Sequence, residues 1–246
     1  MDMVRGDVDN PAQYDVVKGL LDLRSGDTVL DVGCGTGAAV RVFGQIVGGS
    51  GKVIGIDNSK TMIAEAKKRS RLKQLPISFR IADAHHLPFS DNYFDRVFAL
   101  RVFEIIEDPV QALREMLRVT KPGGRIFVNG PDVDGWTFDV PDRDLTRSIL
   151  HHICDHEVNG WIGRQLPRLF MQFGGSNVIT LSDSSFLHDF ELMNDLYLKQ
   201  LLDNAQASNV ISVAAAEAWF GQLRERCELG PYAHSQRIFR VVASKT

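Results

Sequence analysis

The sequence predicts an α/β protein built on a doubly wound, mostly parallel sheet of seven strands with helical lid insertions. In the first half of the chain, short apolar runs alternate with segments of helical periodicity, a pattern typical of parallel strands joined by crossover helices. The strand-like runs are almost continuously apolar, as expected when helices cover both faces of a sheet. In the second half, longer helical segments separate the last strand-like runs, which indicates insertions into the same framework.

Five of the predicted strands lie within residues 1–129, and the helices between them begin at residues suited to capping. Ser59 follows the second strand and precedes a helical pattern. Asp108 is followed by Pro109, whose fixed φ suits the first turn of a helix. Residues 122–124, Pro-Gly-Gly, turn the chain into the fifth strand. The predicted strands are 28–32, 53–56, 77–81, 94–100 and 125–129.

The second half combines helices with the last two strands. From Phe190 onward, apolar side chains recur at helical spacing, and Ser212 is suited to cap a further helix that ends at Gly230. No linker-like composition surrounds these helices, so we predict one domain of residues 1–246. Its predicted parts are a core of residues 1–135, a helical lid of residues 136–175 and 186–231 that includes helices 143–157 and 160–173, and the last two strands within residues 176–185 and 236–244.

Composition and charge exclude several classes of protein. The 246 residues carry a net charge of −3, with 28 basic and 31 acidic side chains, which gives no nucleic-acid footprint. No apolar run approaches the roughly 18 residues of a membrane helix, and residues 1–7 lack the apolar region of a signal peptide. The three cysteines are far apart, so we expect reduced thiols and no disulfide framework. We therefore expect a cytoplasmic protein, monomeric or homodimeric, without a nucleic-acid partner.

A glycine-rich turn directly follows the first predicted strand. Gly33, Gly35 and Gly37 form a G-x-G-x-G pattern between that strand and a helix. Doubly wound sheets bind ligands at the carboxyl ends of their strands, and glycine lets backbone amides approach a ligand closely. A tight turn also needs glycine for geometric reasons alone, so the pattern by itself leaves both interpretations open.

An acidic residue follows each of the next two strands. Asp57 lies 20 residues after Gly37, the spacing of a carboxylate that accepts hydrogen bonds from a ribose. Asp83 follows the third strand, where its carboxylate could bind an adenine amino group while the amide of Ala84 approaches the ring. Each aspartate has a simpler interpretation, a helix cap for Asp57 and a turn former for Asp83. The glycine-rich turn, Asp57 and Asp83 follow three successive strands, and this combination favours a nucleoside-containing ligand.

With these elements in place, the chain resembles the class I S-adenosylmethionine-dependent methyltransferases. Within them it is most similar to the small-molecule branch that includes the ubiquinone and menaquinone C-methyltransferases. Asp31 lies two residues before the glycine-rich turn, and the turn lacks the G-x-G-x-x-G spacing of dinucleotide-binding dehydrogenases. The resemblance covers about residues 20–130 and rests on the motifs at 29–37, 55–57, 82–84 with 87–89, and 121–124.

The resemblance implies a Rossmann-like fold, S-adenosylmethionine as the cofactor and S-adenosylhomocysteine as its product. Asp31 would lie near the ammonium group of the methionine portion, Asp57 would bind both ribose hydroxyls, and Asp83 would bind the adenine amino group. The other residues implied in cofactor binding are Gly33, Cys34, Gly35 and Gly37 in the turn, Asn58 and Met62 beside the adenine, Ala84 at the ring, and Leu100 and Arg101 at the methionine end.

The implied activity is methyl transfer to oxygen, nitrogen or carbon of a small, partly apolar metabolite. The predicted lid favours such a substrate, because a macromolecule needs an open face. Two other interpretations stay open. A catalytically silent, cofactor-binding partner is suggested by Ile105, where many relatives carry histidine, and RNA modification would need a basic patch that the sequence lacks.

The sequence leaves the general base open. His152 and His156 lie four residues apart on one predicted helical face and are the predicted catalytic residues. A surface or structural role fits them as well. The same spacing could bind a metal ion, but no third ligand accompanies the pair, and we predict no metal.

Overall fold

The computed structural model describes residues 11–71, 74–156, 159–187, 189–230 and 233–246. Its strands are β1 (Thr28–Val32), β2 (Lys52–Asp57), β3 (Ile77–Ile81), β4 (Phe94–Ala99), β5 (Thr120–Phe138), β6 (Gly175–Leu187) and β7 (His234–Lys245). Among the described residues, these seven strands form one sheet in the order β3-β2-β1-β4-β5-β7-β6. The pairs β1–β2, β1–β4, β2–β3 and β4–β5 are parallel. The predicted seven-stranded, mostly parallel fold is confirmed.

Helices connect the strands. They are α1 (Pro11–Leu21), α2 (Ala38–Val47), α3 (Lys60–Ser70), α4 (Pro109–Val119), α5 (Arg143–His156), α6 (Ile162–Gln172), α7 (Phe190–Met193), α8 (Lys199–Ala207) and α9 (Val213–Leu229). Of these helices, α3, α4 and α9 begin directly after the residues predicted as caps. The side chains of Ser59, Asp108 and Ser212 each accept a hydrogen bond from the backbone N–H three residues further on. These bonds satisfy N–H groups that have no partner within the helix.

The structure differs from the predicted elements mainly in the second half. Strand β5 extends well beyond residues 125–129, and β6 extends beyond the predicted residues 176–185 at both ends. The additional part of β5 includes polar residues such as Asp132, which an apolar pattern does not reveal. The helix predicted from Phe190 is interrupted by a π-helical turn, Asn194–Leu198. The predicted ends of a helix and of the lid, at residues 157 and 231, lie outside the described residues, as do residues 1–7.

The described residues fall into two compact units. The sheet unit comprises residues 11–129, Gln165–Leu181 and Arg240–Thr246, and the helical unit comprises Gly130–Arg164 and Ser182–Phe239. The single domain predicted from the sequence, with its core ending at residue 135, stays a prediction.

Each unit has an apolar core of its own. In the sheet unit, the buried rings of Phe43 and Phe98 pack edge to face with centroids 5.0 Å apart. In the helical unit, Trp219 is buried, and its Nε1–H donates to Thr146 Oγ1 over 2.8 Å. Burial of one such aromatic side chain contributes about 1.5–3 kcal/mol. No helix in the described ranges is both long and apolar enough to cross a membrane.

Candidate functional site

Most of the predicted site residues of the sheet unit lie at or just after the carboxyl ends of β1, β2, β3 and β4, and these ends lie side by side in the sheet. In the parallel register, Val32 of β1 pairs with Ile56 and Ala99, and Asp57 of β2 pairs with Ile81. The residues directly after β1, β3 and β4 therefore lie along the same edge of the sheet as Asp57. This is the edge at which doubly wound sheets bind ligands. The topology thus brings the glycine-rich turn, Asp57, Asp83 with Ala84, and Leu100 with Arg101 to one edge.

The glycine-rich turn needs its glycines for different reasons. Gly33, Gly35 and Gly37 have φ angles of 74°, 51° and 78°, in the left-handed region. A Cβ on Gly33 would collide with Val102, and one on Gly37 would lie 2.5 Å from the ring of Phe79. A Cβ on Gly35 would meet no atom within 4 Å. The packing of the protein therefore requires Gly33 and Gly37, while Gly35 leaves open space beside the backbone.

Asp57 connects the end of β2 to this turn and to α3. Its Oδ2 accepts a hydrogen bond from the Gly35 N–H, and its Oδ1 accepts one from the Ser59 N–H, each over 2.9 Å. The adjacent N–H of Cys34 donates to Ile56 O over 2.8 Å. The carboxylate is thus held in place by backbone groups. Each of its oxygens keeps a second lone pair for a ligand.

Asp31 is a buried carboxyl group, with 2% of the residue exposed. Burial raises its pKa well above the ordinary range, and the negative charge of Asp57 raises it further. A buried carboxylate without a compensating cation is costly in free energy. The position therefore suits a ligand that brings a positive charge.

Asp83 lies after β3 in a more open environment. It accepts hydrogen bonds from the His85 N–H over 2.9 Å and from the ring of His85, whose Nδ1 is 2.7 Å from Oδ1. The bond from the His85 N–H is the main reason that its pKa is lowered. Of the two residues predicted beside the adenine, Asn58 is exposed and Met62 is half-buried.

The segment after β4 is fixed by two residues that sequence reasoning missed. Arg101 has a φ of 59°, unusual for a side-chain-bearing residue. Its N–H donates to Asn129 Oδ1 over 2.8 Å, and its Nε donates to Glu104 Oε1 over 2.7 Å. Glu104 is buried, so this ion pair is partly shielded from water. Ile105 is 59% exposed.

The helical unit contains a cavity of about 530 Å³. Its size lies within the range typical of small-molecule sites. Its charged and ionisable lining residues are Asp134, Arg143, Arg147, His151 and Arg164, and its apolar ones are Trp136, Phe138, Val140 and Leu150. Sequence reasoning missed the arginines among these residues. The spacing of Arg143, Arg147 and His151 at i, i+4 and i+8 on α5 was the available signal.

The two histidines predicted as catalytic have other neighbours. His152 is buried, and its ring stacks on that of the exposed His156 with centroids 4.9 Å apart. His156 Nδ1 lies 3.3 Å from the carbonyl oxygen of His152. The histidine among the residues that line the cavity is His151. The catalytic role of His152 and His156 stays a prediction.

A further histidine, His234, lies in the core of the helical unit. Burial lowers its pKa to about 4, so the imidazole is neutral near pH 7. Its Nδ1 lies 2.9 Å from Thr137 O and must carry the proton, since a carbonyl oxygen only accepts. The ring stacks on Phe138 with centroids 3.9 Å apart. Sequence reasoning missed this residue because it lies far from every motif.

The pair His152 and His156 has no third candidate metal ligand beside it within the described ranges. No group of three or more His, Cys, Asp or Glu side chains there could hold a metal ion.

Burial is the main reason that the pKa of the Cys34 thiol is raised and that the pKa of the Cys154 thiol is raised to about 12. Both thiols are therefore weak nucleophiles.

Comparison with known proteins finds a family match within the sheet unit. A family model described as a methyltransferase domain matches residues 30–128. An uncharacterized 37.1 kDa protein in transposon Tn4556 of Streptomyces fradiae is 34% identical over 229 residues, which cover 92% of this chain and 65% of that protein. The ubiquinone/menaquinone biosynthesis C-methyltransferase UbiE of Pseudomonas paraeruginosa is 40% identical over 111 residues, 44% of this chain and 43% of that enzyme. The chain thus spans less than two thirds of either relative.

Solved structures share the fold at low sequence identity. The YcgJ protein of Bacillus subtilis aligns with a TM-score of 0.63 and 16% identity. The alignment covers 96% of this chain and 100% of the YcgJ chain. At this level of identity, the similarity concerns the fold.

Proposed function

We propose that the chain is a class I S-adenosylmethionine-dependent methyltransferase that transfers a methyl group from S-adenosylmethionine to a small, partly apolar molecule, because residues 30–128 match a methyltransferase domain and a stretch of 111 residues is 40% identical to a methyltransferase. The acceptor atom is oxygen, nitrogen or carbon. The observation that carries the proposal is the position of Asp57 at the end of β2, where its carboxylate accepts a hydrogen bond from the Gly35 N–H of the turn after β1. A ribose bound at this edge would meet the fixed carboxylate of Asp57, and the open space beside Gly35 would let the ligand approach the backbone.

The residues of the sheet unit fit each part of the cofactor. The buried Asp31, whose pKa is raised, would pair with the methionine ammonium group, which supplies the missing positive charge. Asp57 would accept hydrogen bonds from the ribose hydroxyls, and Asp83 from the adenine amino group. The remaining proposed cofactor-binding residues are Gly33, Cys34, Gly35, Gly37, Asn58, Met62, Ala84, Leu100 and Arg101.

Catalysis in this proposal depends mainly on positioning. The bound cofactor supplies a methyl group on a sulfonium, which is displaced in line by the acceptor. Accurate placement of reacting groups can supply about 7 kcal/mol or more. The bonds from Arg101 to Asn129 and Glu104 hold the segment after β4 in one conformation and so fix one wall of the cofactor site.

The proposed acceptor follows from the helical unit and from the relatives. The rings of Trp136 and Phe138 give the cavity an apolar wall, and the name of the UbiE relative refers to the synthesis of apolar quinones. We keep His152 and His156 as proposed catalytic residues and add His151, which lines the cavity. The cytoplasmic location and the monomeric or dimeric state stay predictions.

Two glycine substitutions separate ligand approach from packing. Gly35→Ala is expected to weaken S-adenosylhomocysteine binding about tenfold or more while lowering the free energy of unfolding by only about 1 kcal/mol, because the new Cβ lies in open space. Gly33→Ala is expected to cost about 2–4 kcal/mol, since it adds a collision with Val102 to the strain of a positive φ. Calorimetric titration and urea unfolding measure both effects. Wild-type affinity in Gly35→Ala would contradict a ligand at this turn.

A methyl-transfer assay tests the proposed function. The full chain is incubated with methyl-labelled S-adenosylmethionine and a fractionated small-molecule extract of cells that make it. We expect label in a discrete product, identified by mass spectrometry, and no such product with Asp57→Ala. Cofactor binding without transfer to any fraction would contradict the proposal and favour the catalytically silent partner.

A further inference from the structure

The cavity of the helical unit has a positively charged face. Arg143, Arg147 and His151 are spaced four residues apart on α5, so their side chains form one stripe along the helix, and all three line the cavity. Arg164 of α6 also lines it. Three guanidinium groups around a cavity with a single lining carboxylate, Asp134, form an unusual concentration of charge.

The arginines differ in how far their charge is already compensated. Arg164 pairs with the buried Asp132 over 2.5 Å and lies 3.7 Å from Asp134, so its charge is neutralised within the protein. Arg147 pairs over 3.2 Å with Asp144, whose side chain is 93% exposed, and such surface pairs contribute little. Arg143 has no acidic partner within the part of the chain that the structure describes. The uncompensated charge therefore belongs to Arg143 and Arg147.

The position of these arginines is unfavourable for the helix itself. Arg143 is the first residue of α5, and Arg147 lies in the second turn. The N-terminal end of a helix carries a partial positive charge, which disfavours cations and favours anions. Packing does not require the arginines, since both side chains are exposed. The carboxylate of Asp142 already accepts a hydrogen bond from the Leu145 N–H at this end of the helix, so an anion in the cavity would serve to compensate the two arginines.

The rest of the lining indicates the other part of the ligand. Trp136, Phe138 and Leu150 supply aromatic and aliphatic surface, which suits the apolar body of a small molecule. Guanidinium groups bind carboxylate and phosphate oxygens through paired hydrogen bonds. A ligand that satisfies both parts of the lining has a flat apolar body and one anionic group.

We propose that this cavity binds a small aromatic or otherwise apolar molecule through a carboxylate or phosphate group held by Arg143 and Arg147. That this ligand is the methyl acceptor rests on the proposed function. The binding itself does not, because it needs neither the cofactor nor the transfer reaction.

Three probes with the same ring system test the anion requirement. The full chain, without cofactor, is titrated calorimetrically with 1-naphthyl phosphate, 1-naphthoate and the neutral 1-naphthol. We expect at least one anionic probe to bind about tenfold or more tightly than 1-naphthol, with an affinity that falls as salt is added. The two anionic probes show whether phosphate or carboxylate is preferred. Equal binding of 1-naphthol, or binding of no probe, would overturn the proposal.

Matched substitutions locate the binding. Arg143→Gln and Arg147→Gln are each expected to weaken the anionic probe about tenfold, with 1-naphthol unaffected and the thermal midpoint unchanged, because both side chains are exposed. The control is Arg168→Gln, which removes the same charge from an exposed position of α6 outside the cavity lining. An equal loss in the control would show nonspecific attraction and overturn the proposal.

The outcomes also separate this proposal from the proposed function. Asp57→Ala is expected to lose methyl transfer and to bind the anionic probe like the wild type. If wild-type protein transfers methyl groups but binds no anionic probe, the methyltransferase stands and the anion site is wrong. If the probe binds while wild-type protein transfers no methyl group to any fraction, the anion site stands and the proposed function is wrong.

Discussion

Asp57→Ala is expected to weaken S-adenosylhomocysteine binding at least about 30-fold and to remove detectable methyl transfer. The carboxylate would accept hydrogen bonds from the ribose, and bonds to charged groups are worth about 1.5–3 kcal/mol each. The substitution also removes the acceptor of the Gly35 and Ser59 N–H groups, so the glycine-rich turn loses its link to the end of β2. A loss of about 2 kcal/mol corresponds to the expected change in affinity.

A matched surface variant serves as the control. Asp203→Ala removes a carboxylate on α8 that is 52% exposed and pairs with Lys199, four residues earlier on the same helix. We expect it to bind S-adenosylhomocysteine like the wild type. Asp57→Asn keeps one acceptor oxygen and should give an intermediate affinity. Unchanged calorimetric affinity in Asp57→Ala would show that this carboxylate does not bind the ribose.

Asp31→Asn is expected to stabilise the unliganded protein while weakening cofactor binding. Asparagine has nearly the same shape and carries no charge that burial penalises. We expect a gain of about 2 kcal/mol at pH 8, which for a chain of this size raises the melting temperature by roughly 4–8 °C. Binding of S-adenosylmethionine should weaken about tenfold or more, because the ammonium group loses its counter-charge.

The pH dependence of stability identifies the cause of this gain. An aspartate in the unfolded chain loses its proton near pH 3.9, whereas burial raises the pKa of Asp31 in the folded protein. Between the two values the folded state binds more protons, so the contribution of Asp31 to wild-type stability falls as pH rises. The stability difference between Asp31→Asn and wild type should grow above about pH 4 and level off once the folded carboxyl has ionised. A destabilised variant, or a difference independent of pH, would contradict the assignment.

The cofactor edge could be predicted from the sequence because its signals are local. A short apolar strand followed by Gly33–Gly37 fixes the position of the turn, and the order of strands brings Asp57 and Asp83 to the same edge. Asp31 could be named as a candidate, but its burial depends on neighbours distant in sequence. The hydrogen bond between Arg101 and Asn129 could not be predicted, since Asn129 is 28 residues away along the chain.

In the helical unit, the sequence did not reveal which histidine lines the cavity or that His234 is buried. Helical spacing placed His151, His152 and His156 on one helix, but which of them lines a cavity depends on how α5 packs. His152 is buried and His151 lines the cavity, a one-residue difference that rotates the side chain by about 100° around the helix. The neutral His234 was unpredictable because its low pKa arises from burial, which depends on segments distant in sequence, such as the one that contains Phe138.

The central claim is that the edge formed by the ends of β1 to β4 binds S-adenosylmethionine, and a crystal structure of the chain with S-adenosylhomocysteine tests it most directly. We expect both ribose hydroxyls within hydrogen-bonding distance of the Asp57 carboxylate, the methionine ammonium group beside Asp31, and the adenine between Met62 and Asp83. Density for the ligand at any other place, or an unchanged, empty edge at saturating ligand, would contradict the claim.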